Sequence, residues 1–141
     1  MTNAIRISEA GSLALHAMAF LAASPRRRLT TGEIASELNV SEAHLSKVLQ
    51  RLAKAGLVRS ARGAKGGFEL ARPRGKVSLL EVYEAIEGPL STSKCLLGLP
   101  VCGARRCILG DLVEVVNKRV RDHLSKTRLS KLSDCYGSGE A

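Results

Sequence analysis

Apolar positions recur at helical spacing in five stretches of this chain, and one pair of short alternating runs lies among them. From Ile7 to Ala23, Leu13, Ala14, Ala17, Met18 and Leu21 mark one helix face, with Ser8 as N-cap, and the segment Ser24–Arg28 ends the helix. Thr30 and Glu33 then have capping-box spacing ahead of Ile34, Ala35 and Leu38. Asn39 closes that short helix in a tight turn. Ser41 caps another from Glu42 to Ala55, with Leu45, Val48, Leu49 and Leu52 inward and Gly56 as the stop. Two helices across a short turn are a helix-turn-helix pattern. A hairpin comes next: a strand over Leu57–Ser60, a glycine-rich tip at Arg62–Gly67, and a return over Phe68–Ala71 ended by Pro73. That order predicts a winged helix, and it is more specific than either part.

Ser78 and Glu81 have the spacing of a second capping box, opening a helix that Gly88 and Pro89 stop. Ser91–Arg106 has no sustained period and reads as a loop. From Cys107 or Ile108 to Lys126 the helical period returns, and a helix of that length spans about 28 Å. Val113, Val116, Val120 and Leu124 form its stripe, with Leu109 and Leu112 beside it. So small a domain leaves such a stripe uncovered, which predicts a homodimer. The expected fold is mainly α with a small β-hairpin wing: a winged helix-turn-helix over 1–90, a cysteine-rich loop over 91–107, a long dimerisation helix over 108–127, and a tail over 128–141 frayed at its Gly/Ser-rich end.

Charge adds the partner. The net charge is +9, and it is uneven: Met1–Gly75 holds 12 Lys and Arg against 5 Asp and Glu, whereas the remainder holds 10 against 8. A basic first half suits a polyanion such as double-stranded DNA. No Trp, two Phe and two Tyr leave little for stacking on single-stranded bases. At the start of the reading helix stand Ser41, Glu42, Ala43 and His44, with Ser46 and Lys47 on its outward side. Arg62 and Lys65 on the wing reach the adjacent minor groove or backbone. The alternative for any one basic residue is plain solvation. That holds most strongly for Arg26–Arg28, since a turn carries charge anyway. His16 and Ser24 interrupt the best apolar run, so no membrane partner and a reducing, cytoplasmic setting are expected.

Cys95, Cys102 and Cys107 share one glycine-rich segment with spacing C-x₆-C-x₄-C. Thiolates are soft ligands suited to an iron–sulfur cluster or zinc. Three buried or merely reactive thiols are the other reading. Cys135 stands apart as a free thiol. No nucleophile–base constellation is evident, and "GAKGG" departs from phosphate-loop spacing, so no enzyme is expected.

The stretches "LALHAM", "EIASELNVSEAHLSKVLQRLAKAGLVRSARGAKGGFELARP" and "VSLLEVYEAIEG", followed by the cysteine loop and a long helix, resemble the IscR/NsrR-type bacterial winged-helix regulators. The resemblance runs from Ile5 to Asp134. It implies a homodimeric transcription factor, a repressor, on a palindromic operator. Three loop cysteines would hold an iron–sulfur cluster of two or four irons, sensing redox state, nitric oxide or iron and cluster status. Some members place a histidine after the last cysteine, where this chain has Gly110; others use a carboxylate on the partner's first helix, where the match is Ser12. Candidates for a fourth ligand are therefore Ser12, Glu9 and His16, which share a helix face, and Asp111, one turn beyond Cys107. A core role is the other reading of His16, and a charge at the helix N-terminus that of Asp111. Two rival readings stand beside this one: a metal-free winged-helix regulator with a cysteine thiol switch, and a zinc-stabilised winged-helix module that binds protein.

Overall fold

The computed structural model describes residues 4–62, 66–91, 93–97 and 102–136. Side-chain caps set where its first four helices begin. The Ser8 hydroxyl accepts from the Gly11 N–H at 3.0 Å to open α1, Glu9–Ala23. Thr30 and Glu33 form the expected reciprocal box on α2, Thr31–Leu38, at 2.9 and 3.1 Å. Ser41 accepts from the His44 N–H at 3.3 Å to open α3, Glu42–Lys54. Between them Asn39 takes the left-handed conformation, φ 55°, that makes the turn tight. On α4, Leu79–Glu87, only half of the second box forms: Ser78 accepts from the Glu81 N–H, but the Glu81 carboxylate turns instead to Arg72 at 2.8 Å.

The wing pairs β1, Val58–Ala61, with β2, Gly67–Leu70, antiparallel, with Val58 opposite Leu70 and Ala61 opposite Gly67. Its strands lie within a residue of the expected runs. Leu29 joins as a third chain through two hydrogen bonds with Phe68, at 2.7 and 3.0 Å. Gly67 permits this approach. Its φ is 140°, and a Cβ there would lie 2.7 Å from the Leu29 carbonyl oxygen. Phe68 and Leu70 pack against a core built on Met18, Leu21, Ile34, Leu45, Leu49, Leu52, Val77 and Val82.

The last helix, α5, runs from Leu112 to Lys126, 15 residues, and so does not begin at Cys107 or Ile108. Gly110 explains the difference. It adopts φ 61°, a left-handed position that interrupts a right-handed helix, while its N–H closes a turn onto the Cys107 carbonyl. The helix is thus about 22 Å long. Beyond it the chain returns to the body. Ser78 and Arg128 form an antiparallel bridge, Leu129 donates to Val77 at 3.0 Å, and a 3₁₀ turn over Leu129–Leu132 buries Leu129 completely. The segment assigned to the tail therefore contributes to the core, and its expected frayed end lies outside the described residues. No helix among the described residues is long and apolar enough to cross a membrane.

Candidate nucleic-acid interface and cysteine loop

Burying Leu45, Val48, Leu49 and Leu52 turns the opposite face of α3 outward. Ala43, Lys47 and Gln50 lie there exposed, with Ser46 half-buried beside them, at helical spacing along one stripe. Gln50 was missed by sequence reasoning, although its position three residues beyond Lys47 places it on that face. Its amide can both donate and accept, the combination that an adenine edge presents. Ser41 and Glu42 are exposed at the helix start, and the Ser41 hydroxyl is occupied as a cap. His44 turns sideways: its Nδ1 lies 3.6 Å from a Glu9 carboxylate oxygen at the start of α1. Arg51 is bound to the Ile86 carbonyl at 2.7 Å, tying α3 to α4. Arg62 is exposed on the wing, and Lys65 lies outside the described residues.

On α1, Ser12 is half-buried, whereas Glu9 and His16 are exposed. His16 is therefore not the core histidine of the alternative reading. Its Nδ1 lies 2.7 Å from the Ser12 carbonyl oxygen, which can only accept, so that nitrogen carries the proton. The Tyr136 ring meets Phe20 and His16 edge-on, at centroid distances of 5.6 and 6.5 Å. Burial first, then the neighbouring Cys135 and Glu37, push the Tyr136 phenol above its ordinary pKa.

The cysteine loop is anchored on α5. Asn117 donates to the Ser93 carbonyl at 2.8 Å, Arg121 to the Leu90 carbonyl at 2.5 Å, and Lys94 pairs with Glu114 at 3.3 Å. Ser93 bridges both backbone groups of Cys95 with its hydroxyl. Cys95 is half-buried, and Cys102 and Cys107 are exposed. Cys107 Sγ accepts from the Leu109 N–H at 3.4 Å, an amide donor to sulfur. Asp111 occupies the cap position of α5 with no side-chain cap bond. Among the described residues no group of three or more His, Cys, Asp or Glu is gathered about one point. Three thiolates in one short segment suit a cluster by donor type; in this conformation the described thiols are not drawn together with a fourth donor.

The dimer stripe divides. Leu124 is buried within the chain, and Val120 lines a cleft with Ile5 and Ile7. Leu112 is 52% exposed, Val115 52% and Val116 41%, an uncovered stretch at the start of α5, and Ile108 and Leu109 just before it are exposed as well. Val113 is half-buried beside them.

The profile of the Rrf2 family, described as iron-dependent transcriptional regulator, matches residues 7–134. A Mycobacterium tuberculosis chain, provisionally named an HTH-type transcriptional regulator, is 33% identical over 132 residues, covering 92% of this chain and 81% of the relative. Among solved structures, CymR, the global cysteine regulator of Bacillus subtilis, superposes with a TM-score of 0.80 at 26% identity, over 94% of this chain and 99% of that one. IscR of T. potens superposes with 0.74 at 26% identity, over 98% and 93%.

Proposed function

The chain belongs to the Rrf2 family of transcriptional regulators, and on that premise we propose that it is a homodimeric repressor whose grip on a palindromic duplex operator is set by its cysteine loop. The observation that carries the proposal is the bonding of that loop along α5, the helix that presents the uncovered Leu112–Val116 stretch. A change of state at the cysteines acts through Ser93, Asn117 and Arg121 on the helix that would join two copies. The spacing of the two α3 readers depends on how those copies join. In this reading Ala43, Lys47 and Gln50 face base edges, while Arg62 and the wing hold phosphates.

Cys95, Cys102 and Cys107 would hold an iron–sulfur cluster, with Ser12, Glu9, His16 or Asp111 as the further donor. Such a group supplies an iron that binds oxygen or nitric oxide where its ligand is oxygen or nitrogen rather than thiolate. The likeness to IscR supports this assignment. A second reading keeps the DNA surface and makes the loop a metal-free thiol switch. The exposure of Cys102 and Cys107 favours it, as does the likeness to a protein named a cysteine regulator.

Protein purified without oxygen separates the two. A cluster gives iron, sulfide and visible absorption that disappear in Cys95→Ala, Cys102→Ala and Cys107→Ala and persist in Cys135→Ala. Colourless protein free of iron and sulfide, whose operator affinity still changes on thiol oxidation, would establish the switch. Colourless protein with zinc and no duplex affinity would leave a protein-binding module instead.

A further inference from the structure

The basic turn Arg26–Arg28 has no part in the α3 and wing-tip contacts, yet the fold fixes it against the wing. Leu29, the next residue, is the third chain of the wing sheet through its two bonds to Phe68. Arg28 Nε lies 3.5 Å from one Glu69 carboxylate oxygen, and Arg59 Nη2 lies 3.5 Å from the other. An Arg–Glu–Arg row therefore crosses the sheet on the face opposite Phe68 and Leu70, which pack on the core. Arg27 is held at 2.8 Å by Glu33, the same carboxylate that caps α2. Arg26, Arg27, Arg28, Thr30, Glu33 and Glu69 line one open groove of about 580 Å³ beside the wing tip.

Glu33, on one side of this groove, adjoins Gly32 at the start of α2, which approaches the reader. A Cβ placed on Gly32 would lie 3.1 Å from a Glu42 carboxylate oxygen, so the starts of α2 and α3 touch. The strip thus runs from the first turn of α3 through Gly32 and Glu33 to the arginine turn and the wing. Among the described residues Arg26, Arg27, Arg28, Arg59 and Arg62 stand along it against Glu33, Glu42 and Glu69. Carboxylates that orient a guanidinium occupy some of its five N–H donors and leave others free for phosphate oxygens.

We propose that the Arg26–Arg28 turn and the outer face of the wing grip the sugar-phosphate backbone of the duplex beside the major-groove contact, with Glu69 limiting the strength of that grip. The proposal rests on the DNA-binding reading of the chain and extends its footprint to flanking base pairs. A contact of this kind carries no sequence preference, because phosphates are alike at every position.

The test uses the full chain and an operator recovered from a random duplex pool by the wild-type protein. Affinity is measured against KCl concentration on two duplexes, one trimmed to the palindrome and one extended on both sides. Wild type is expected to bind the extended duplex more tightly. The variant R26Q/R27Q/R28Q is expected to lose that advantage, with its log-affinity against log-salt slope shallower by about 0.9 for each phosphate it no longer neutralises. Its loss should be the same on operator and random sequence. Glu69→Gln should bind the extended duplex more tightly than wild type with a steeper slope, a gain that a folding defect cannot imitate. An unchanged slope in the triple variant, or no tightening in Glu69→Gln, overturns the proposal. Failure of wild type to retain any duplex overturns the DNA reading itself and this proposal with it.

Discussion

Replacing Gly67 with Ala puts a single methyl group where the wing meets the body. At φ 140° an L-residue bears a backbone cost on the order of 1–3 kcal/mol. The new Cβ would stand 2.7 Å from the Leu29 carbonyl oxygen and 2.8 Å from its carbon, and both are main chain, so no side chain can swing aside. Relief requires β2 and the Leu29 segment to part, which lengthens the two bonds between Leu29 and Phe68, each worth about 1 kcal/mol net. With both bonds lost the sum is about 3–5 kcal/mol, a large part of the roughly 5–15 kcal/mol that stabilises a domain. Gly56→Ala supplies the comparison. Its φ of 78° is also positive, but nothing lies within 4 Å of its Cβ, so only a conformational cost of about 1 kcal/mol remains. Urea unfolding of both variants gives the two numbers, and the midpoint should fall with an unchanged slope. Duplex affinity should fall in Gly67→Ala more than in Gly56→Ala, because only the former frees the wing. If Gly67→Ala unfolds within about 0.5 kcal/mol of wild type, the close approach does not hold the wing.

Leu129→Ala should destabilise the chain by about 2–5 kcal/mol, read from the same urea transitions, since Leu129 is fully buried in the core. Under the proposed dimer, wild type should sediment as a dimer at micromolar concentration, and Val116→Glu, which places a charge in the uncovered stretch of α5, should sediment as a monomer. Gln50→Ala should relax base preference at one operator position with a loss of about 1–3 kcal/mol on the preferred sequence, seen by repeating the random-pool selection. Lys47→Ala on the same stripe should lower affinity for the selected operator more than for random duplex, as a contact to a base edge requires, and an equal loss on both would refute that placement.

Local chemistry made much of the fold legible. The Thr30–Glu33 box, the Ser8, Ser41 and Ser78 caps, the stop at Gly56 and the inward face of α3 depend on residues within one or two turns of each other, and each formed. Where a distant group competed, sequence misled: Glu81 had the spacing of a box partner, but Arg72 took its carboxylate. The start of α5 turned on the conformation of Gly110, which the apolar period does not report. Leu129 was hidden because a one-residue bridge has no period at all. The arginine turn looked like ordinary surface until the Leu29–Phe68 pairing put it beside the wing. For the cysteines, residue type declared the chemistry, but a loop without a period holds no record of how its thiols converge or which outside donor joins them.

Operator affinity measured without oxygen, on wild type as purified and on the variant with Cys95, Cys102 and Cys107 all changed to Ala, tests the central claim most directly. Control by the loop predicts at least about a tenfold difference between them, equivalent to about 1.4 kcal/mol, with the dimer intact in both. Equal affinities, with the same salt dependence and the same selected sequence, would mean that the cysteine loop does not govern how this protein binds DNA.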